Sequence, residues 1–365
     1  MNQEQIMQLN AAVEAVKGRE IENVYFVACG GSKAIFDPTQ YIFDCESTIP
    51  SFVYNANEFI HRCPKALGEK SLVITCSHSG NTLETTRATQ LANAKGALTI
   101  SFSFKVDSPL WKAAQYPIYY GWGPECDPAD SNNGMLFRLV FSILNALQPN
   151  EKYERALKAC ENLGKVFEAS KAVYAERANA FGSKYKKAPL IYTMSSGPCY
   201  GVAYSFAICL LQEMQWIHSE PIHSGEYFHG PFEVTDTDVP FLVLKNYGKE
   251  ALENAKQNWI VEYGAEVVRD LVDIDDDAKL AAYVAENNGE TRLLDERAAE
   301  FAAKFSEHVN VLDCNEFVWD GIDEDLRKYF GVLVVGAVIR TYADALAYHR
   351  GHPLSVRRYM WNMAY

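Results

Sequence analysis

The stretch 23–32, NVYFVACGGS, passes from an apolar run into a turn of small residues, and a helical pattern follows it. Most of its first six residues are β-branched or aromatic, which predicts a buried strand. A strand, a glycine and serine turn and a helix in this order are typical of an α/β crossover, whose backbone N–H groups point outward at the turn. The stretch therefore predicts one unit of a parallel sheet.

The same unit recurs along the chain. Further strands are predicted over 71–75 and 97–102, with a helix over 83–94 between them. Strands that alternate with helices at this interval predict a parallel sheet with helices on both faces. About 165 residues after the first unit, the stretch 190–198 (LIYTMSSGP) repeats its strand and its turn of small residues. A period this long indicates two duplicated domains of the α/β class.

Changes in composition divide the chain into four segments. They are a first domain at 1–150, a charged helical linker at 151–187, a second domain at 188–350 with an acidic helical insertion near 250–288, and an aromatic, basic tail at 351–365. Within the second domain, the patterns predict strands over 239–244 and 309–313 and an apolar helix over 331–348. A solvated helical excursion is the simplest interpretation of the insertion.

Composition excludes several classes of partner. The 365 residues carry a net charge of −13, which argues against nucleic acid and anionic membranes as ligands. The longest apolar run, 332–339, is far shorter than the roughly 20 residues that a membrane span requires. Nine cysteines without a CxxC pair favour a reducing compartment, and the first residues lack a signal-peptide pattern. We therefore expect a cytoplasmic protein.

Hydroxyl groups crowd the turn after the second predicted strand. Ser77, Ser79 and Thr82 surround Gly80 where a helix begins, and Ser32 lies in the neighbouring turn. Free N–H groups and the positive end of the helix dipole bind phosphate without a lysine cluster. Plain N-capping is the alternative, because serine and threonine favour that position. Three hydroxyls exceed what a cap requires, so the turn predicts a phosphate site.

Other ligand motifs are absent from the sequence. It contains no Walker A motif, no dinucleotide GxGxxG and no HExxH, so nucleotide, NAD and zinc sites have no support. In the second half, the strand over 239–244 ends in KNYG and lacks a hydroxyl-rich turn. We therefore expect one phosphate site per chain.

The stretch 210–231, LLQEMQWIHSEPIHSGEYFHGP, carries a carboxylate and an imidazole, the usual pair for proton transfer near neutral pH. Glu213 has apolar neighbours, and scarce water disfavours the ionised form of a carboxylate, which suits a general base. His229 precedes a Gly-Pro turn. The alternatives are a histidine that only forms loop hydrogen bonds and a glutamate in the polar stripe of an amphipathic helix with Ser205, Gln212 and Gln215.

Five motifs together resemble the sugar isomerase (SIS) family in its tandem form, and in particular the fructosamine 6-phosphate deglycases. They are ACGGS at 28–32, SHSGNT at 77–82, EMQWIHS at 213–219, SGEYFHGPFE at 224–233 and HPLSVRRYMW at 352–361. The resemblance covers nearly the whole chain, apart from the segment 250–288. It implies two flavodoxin-like three-layer sandwiches, no metal and no organic cofactor, and a homodimer or higher homo-oligomer.

The resemblance also implies roles for individual residues. Glu213 would transfer the proton, and His229 would be the acid/base group, contributed across a dimer. The sugar phosphate would be held by Ser32, Ser77, Ser79 and Thr82. Further substrate contacts would come from Gly31, His78, Ser195, Ser196, Glu226 and Arg358. Two positions depart from the synthase branch of the family: Phe228 replaces a lysine, and Arg357 and Arg358 stand where that branch has a terminal lysine.

The implied reaction is the cleavage of a fructosamine 6-phosphate to glucose 6-phosphate and a free amine, through an enaminol and hydrolysis of an imine. A solvated loop is the preferred interpretation of the acidic stretch with Glu125, Asp127 and Asp130, and a site for the ammonium group of a lysine-derived substrate is the alternative. Two alternatives stay open: an aldose-ketose phosphosugar isomerase, and a non-catalytic regulator that binds a sugar phosphate.

Overall fold

A computed structural model describes residues 1–248, 278, 281, 285 and 289–360 of the chain. Its first half forms one parallel sheet of five strands in the order β2-β1-β3-β4-β5. The strands are β1 (Asn23–Ala28), β2 (Ser51–Asn55), β3 (Ser71–Cys76), β4 (Leu98–Ser103) and β5 (Tyr116–Tyr119). This is the flavodoxin-like strand order, and the parallel pairing confirms the crossover predicted from the sequence.

Helices cover both faces of this sheet. They are α1 (Gln3–Lys17), α2 (Gly30–Ala34), α3 (Phe36–Glu46), α4 (Ala56–Arg62), α5 (Leu83–Ala94), α6 (Pro109–Ala113) and α7 (Asn132–Leu147). Alternate residues of β1 divide between two cores: Phe26 packs in the larger one with α1, α3 and α7, and Tyr25 in the smaller one with α4 and α5. The three layers follow from this alternation along each strand.

The second half repeats the plan with four parallel strands in the order β7-β6-β8-β9. Its strands are β6 (Tyr192–Ser195), β7 (Pro221–His223), β8 (Phe241–Lys245) and β9 (Val309–Asp313), and its helices are α8 (Glu151–Ala159), α9 (Leu163–Tyr185), α10 (Tyr200–Tyr204), α11 (Arg292–Phe305) and α12 (Glu324–Arg350). The strand order matches that of β2-β1-β3-β4, which confirms the predicted duplication. The boundaries of the four segments stay a prediction.

The helix that carries Glu213 differs from the sequence expectation. After α10 the chain continues as a π-helix over Ser205–Gln215, whereas the apolar pattern predicted an α-helix. The π-helix ends at Trp216, which has a left-handed backbone with φ of 55°. Most of the predicted insertion 250–288 lies outside the described residues.

Glycine permits two close contacts between helices, one between the two halves and one within the second half. In α10, a Cβ atom added to Gly201 would lie 2.6 Å from the carbonyl oxygen of Ala34. In α9, a Cβ atom on Gly182 would lie 2.6 Å from the carbonyl carbon of Ala345 in α12. Real Cβ atoms do not approach other heavy atoms this closely, so glycine permits both contacts.

Helix α12 is a core helix of the second half. In the described part of the chain, it is the one helix long and apolar enough to cross a bilayer. However, 67% of its most apolar stretch is buried inside the protein. Its apolar side chains pack against α9 and the rest of the large core, which accounts for its composition.

We predict that Gly182→Ala lowers the free energy of unfolding by about 1–3 kcal/mol, because α9 and α12 must separate to admit the methyl group. Gly164→Ala is the matched control in the same helix, since its added Cβ atom would have 3.8 Å to its nearest neighbour. Chemical denaturation of both variants measures the difference. Equal stability of the two variants would contradict the assigned contact.

Candidate active site

The turn between β3 and α5 is held in shape by Gly80. This residue has φ of +65°, and a Cβ atom there would lie 1.9 Å from the hydroxyl oxygen of Ser108. The Gly80 N–H donates to the carbonyl of Ser77 at 3.1 Å, and the N–H of Leu110 donates to the carbonyl of Gly80 at 3.0 Å. The turn is therefore fixed against the start of α6.

The hydroxyl groups of this turn form contacts other than a helix cap. Thr82 occupies the N-cap position of α5, but its side chain accepts no hydrogen bond from the helix start. It pairs instead with the hydroxyl of Ser77 at 2.9 Å. Ser79 is exposed and accepts a hydrogen bond from the N–H of Asn81 at 3.2 Å. Plain N-capping by Thr82 is therefore not what the turn does.

Parallel pairing brings Ser32 to the same edge of the sheet. Ala28, the last residue of β1, pairs with Cys76, the last residue of β3, so the two serine turns are neighbours. The Ser32 hydroxyl forms a hydrogen bond with the Cys76 thiol, and burial raises the pKa of that thiol to about 12. The thiol beneath the turn is therefore neutral and adds no negative charge.

The π-helix of the second half lies against this edge. A Cβ atom added to Gly31 would be 3.6 Å from Sγ of Cys209, so the turn after β1 and the π-helix are in van der Waals contact. Cys209 lies four residues before Glu213 and close enough to interact with its charge. The Gly31–Cys209 contact thus joins the segment that carries Ser32 to the helix that carries Glu213.

The carboxylate of Glu213 has a charged partner where the sequence predicted apolar neighbours. The guanidinium of Arg357 approaches Oε1 of Glu213 with Nε at 2.8 Å and Nη2 at 2.7 Å. The Glu213 side chain is 26% exposed and that of Arg357 is 8% exposed. The C-terminal tail therefore reaches the predicted catalytic carboxylate through Arg357, which the sequence had singled out only as a departure from the synthase branch of the family.

His229 lies apart from these contacts within the single chain. It follows β7 in a short 3-10 turn (Tyr227–His229), and both His229 and Glu226 are exposed. Among residues 1–248 and 289–360, no side chain forms a hydrogen bond or ion pair with the imidazole. The ring therefore faces outward, on a surface that another molecule can reach.

Comparisons with known proteins show which family the chain belongs to. The SIS domain model matches residues 19–143. Fructosamine deglycase FrlB of Bacillus subtilis is 44% identical over 359 residues, which cover 98% of this chain and 97% of that protein. The chain belongs to the SIS family. Fructoselysine 6-phosphate deglycase of Escherichia coli is 30% identical over 237 residues, 65% of this chain and 68% of its own length. A Bacillus subtilis crystal structure described as a phosphosugar isomerase has a TM-score of 0.85 at 43% identity and full coverage of both chains.

In the second half of this SIS protein, a side chain of the protein itself occupies the position equivalent to the serine turn. Asn246 follows β8 as Ser77 follows β3, and Thr291 precedes α11 as Thr82 precedes α5. The carboxylate of Asp295 accepts hydrogen bonds from the Asn246 N–H at 3.0 Å, the Asn246 side-chain amide at 2.7 Å and the Ser224 hydroxyl at 2.7 Å. A protein carboxylate thus takes the donors that could otherwise bind an anion.

Ser195 and Ser196 belong to this internal network. Both are fully buried, and their hydroxyls donate to the carbonyls of Leu244 at 2.7 Å and Thr291 at 3.0 Å. That they also contact substrate stays a prediction. No sequence signal pointed to Asp295, because its helix is preceded by the segment 250–288 and the first half offers no carboxylate at the same place.

The remaining predicted residues lie at the margins of the serine turn and the tail. His78 is exposed, forms a hydrogen bond with the Tyr120 hydroxyl at 3.0 Å and stacks on Phe104. Arg358 lies over the ring of Trp216, 4.2 Å from its centroid. In the acidic loop, Asp130 pairs with the N-terminal amino group at 2.9 Å and Asp127 caps a 3-10 turn, while Glu125 is exposed.

The buried carboxylate gives a pH prediction. Burial raises the pKa of Asp295 from 3.8 to about 6, so its contribution to stability is full below about pH 4 and is lost as the pH rises through 6. We expect the unfolding free energy of the wild type, measured relative to Asp295→Asn, to fall by about 1 kcal/mol between roughly pH 5 and 7.5. Asp344→Asn, at an exposed carboxylate, is the control. If the difference in unfolding free energy between the wild type and Asp295→Asn does not change with pH, the raised pKa of Asp295 is wrong.

Proposed function

We propose that this protein is a deglycase that converts a fructosamine 6-phosphate, such as fructoselysine 6-phosphate, into glucose 6-phosphate and a free amine. The full-length similarity to a fructosamine deglycase at 44% identity supports the reaction class. The contact between Gly31 and Cys209 supports the geometry, because it joins the serine turns of one half to the helix of Glu213 in the other.

We assign the sugar 6-phosphate to the two serine turns. Ser32, Ser77, Ser79 and Thr82 would donate hydroxyl hydrogen bonds, together with free N–H groups at the start of α5. Backbone dipoles and hydroxyls suit a phosphate in a protein of negative net charge, since they need no cluster of lysines. Gly31 would allow the sugar to pass close to the backbone on its way to Glu213.

Proton transfer at two adjacent carbons accounts for the reaction. With the sugar ring open, Glu213 removes a proton from C1, and the electron pair moves to the C2 carbonyl, whose oxygen takes a proton to give an enaminol. Return of a proton to C2 leaves an imine between C1 and nitrogen. Water adds to C1, the C–N bond breaks, and the amine departs with a proton. The neighbouring carbonyl accepts the electrons, so no step requires a cofactor.

We assign the second proton carrier to His229 of a partner subunit in a homodimer. Its exposure on a single chain supports this assignment, because an exposed imidazole can reach a site on another copy. There it would protonate oxygen during ring opening and nitrogen during release of the amine. Glu226, in the same turn, would lie beside it.

We place the enzyme in the cytoplasm. All nine cysteines are free thiols, and five of them are buried, which suits a reducing compartment. A phosphorylated sugar-amine is also a metabolite that cells retain because of its charge.

An aldose-ketose phosphosugar isomerase is the second candidate. The full-length structural relative from Bacillus subtilis is described as a phosphosugar isomerase. Such an enzyme would use the same transfer between C1 and C2 without breaking a C–N bond, so the serine turns and Glu213 fit both reactions. The products distinguish them.

The decisive experiment incubates the enzyme with fructoselysine 6-phosphate and measures glucose 6-phosphate and lysine together. We expect both products in equal amounts, and Glu213→Gln should lower kcat by roughly 10²–10⁴-fold because the amide cannot accept the proton. Turnover of fructose 6-phosphate without release of amine from any fructosamine 6-phosphate would reject the deglycase and support the isomerase. Normal turnover by Glu213→Gln would remove that residue from the mechanism.

Ser79→Ala tests the phosphate site. Loss of a hydrogen bond to a charged group should raise KM by roughly 10-fold, with little change in kcat. Ser47→Ala is the matched control: the Ser47 hydroxyl accepts from the N–H two residues ahead at 3.1 Å, as the Ser79 hydroxyl does at 3.2 Å, but it lies outside the turn. Steady-state kinetics with inorganic phosphate as a competitor measure both effects. An unchanged KM in Ser79→Ala rejects the assignment.

A further inference from the structure

We propose that Arg357 is a positioning residue, which orients the carboxylate of Glu213 for proton transfer and keeps it in its basic form. The inference rests on the proposed deglycase function for its kinetic consequences. Its geometry rests on contacts between the C-terminal tail and the end of the π-helix.

The guanidinium of Arg357 forms hydrogen bonds on two sides. Nε and Nη2 approach Oε1 of Glu213 at 2.8 Å and 2.7 Å. Nη1 donates to the backbone carbonyls of Leu354 at 2.7 Å and Val356 at 2.9 Å. The planar guanidinium therefore links Oε1 of Glu213 to the backbone of the tail. We assign the proton transfer to the other carboxylate oxygen, Oε2.

The difference in burial separates the roles of the two side chains. Arg357 is 8% exposed, whereas Glu213 is 26% exposed. The arginine thus lies on the protein side of the pair and the carboxylate on the open side, where a substrate can approach. A charge pair that is screened from water on one side interacts more strongly than a surface pair.

The tail that carries Arg357 is bound to the π-helix itself. The side-chain amide of Gln215 donates to the carbonyl of His352 at 2.8 Å, and the rings of Trp216 and His352 are 4.4 Å apart. Leu354 packs against the large core. Glu213 and its arginine are therefore fixed to the same end of one helix, which is the requirement for a defined orientation.

Other groups near Glu213 do not supply the same charge. Cys209 faces it from the previous turn, and burial raises the pKa of that thiol to about 11, so it is neutral. Two other arginines lie at this end of the π-helix: Arg350 donates to the carbonyls of Lys186 and Gln215, and Arg358 lies over the ring of Trp216. Arginine stays protonated at every working pH, so it stabilises a carboxylate without exchanging protons with substrate.

The kinetic test compares Arg357→Ala and Arg357→Lys with the wild type. We expect Arg357→Ala to lower kcat by roughly 10²-fold with a small change in KM, and to move the acid limb of the kcat/KM profile to higher pH, because the carboxylate loses its cation. Arg357→Lys should keep the pH profile but not the full kcat, since lysine retains the positive charge without the planar pair of N–H donors. Added guanidinium ion should restore part of the activity of Arg357→Ala.

Arg340→Met is the matched control, because it removes an exposed arginine that pairs with Asp344 at 3.3 Å on α12. It should leave kcat and the pH profile unchanged. Circular dichroism of every variant identifies loss of fold. If Arg357→Ala is unfolded, the kcat of Arg357→Lys becomes the test of the inference. A wild-type kcat and pH profile in Arg357→Ala overturns the inference while leaving the deglycase reaction intact.

A second readout does not depend on turnover. With ¹³C at the side-chain carboxyl of glutamate, the resonance that Glu213→Gln removes belongs to Glu213. Its titration midpoint should lie at higher pH in Arg357→Ala than in the wild type. Equal midpoints overturn the inference even if the enzyme acts on no fructosamine 6-phosphate, whereas a shifted midpoint in an enzyme inactive on these substrates rejects the proposed function alone.

Discussion

The close approach of two backbones, permitted by glycine, is the constraint on which the site depends. Gly201 brings the backbone of α10 within contact of Ala34, and the Cys209 side chain packs against Gly31. Without the Gly201 contact, the helix of the second half that follows α10 could not lie so close to the serine turns of the first. A reaction between a held phosphate and a distant carboxylate requires that spacing to be constant, because small displacements cost large factors in rate.

The duplicated halves have become unequal in what their strand ends bind. Both sheets place polar turns at the carboxyl ends of their central strands, the general position for ligands in such folds. In the first half these turns present hydroxyls and free N–H groups. In the second half Asp295 accepts those hydrogen bonds, and Arg292 and Asp313 pair beside it. In the second half the donors at this position are thus occupied, whereas the first half carries the turns to which we assign the phosphate.

Much of the architecture followed from local patterns. The strands β1 and β9 and the helix α5 have the predicted bounds, and β3 differs by one residue, because β1 and β3 are fully buried runs and α5 has clear ends. The edge strands β2, β5 and β7 were not predicted, since short, partly exposed strands carry little apolar signal. The π-helix was not predicted, because i→i+5 hydrogen bonding leaves no distinct pattern in the sequence.

The sequence by itself determined the fold class, the duplication, the single serine-rich turn and the candidate pair Glu213 and His229, because each depends on residues close together in the chain. Only the tertiary structure decided that Arg357 contacts Glu213, that Asp295 fills the second half and that His229 faces outward. These relations join residues up to 144 positions apart. No local pattern encodes them, since they arise when packing brings distant surfaces together.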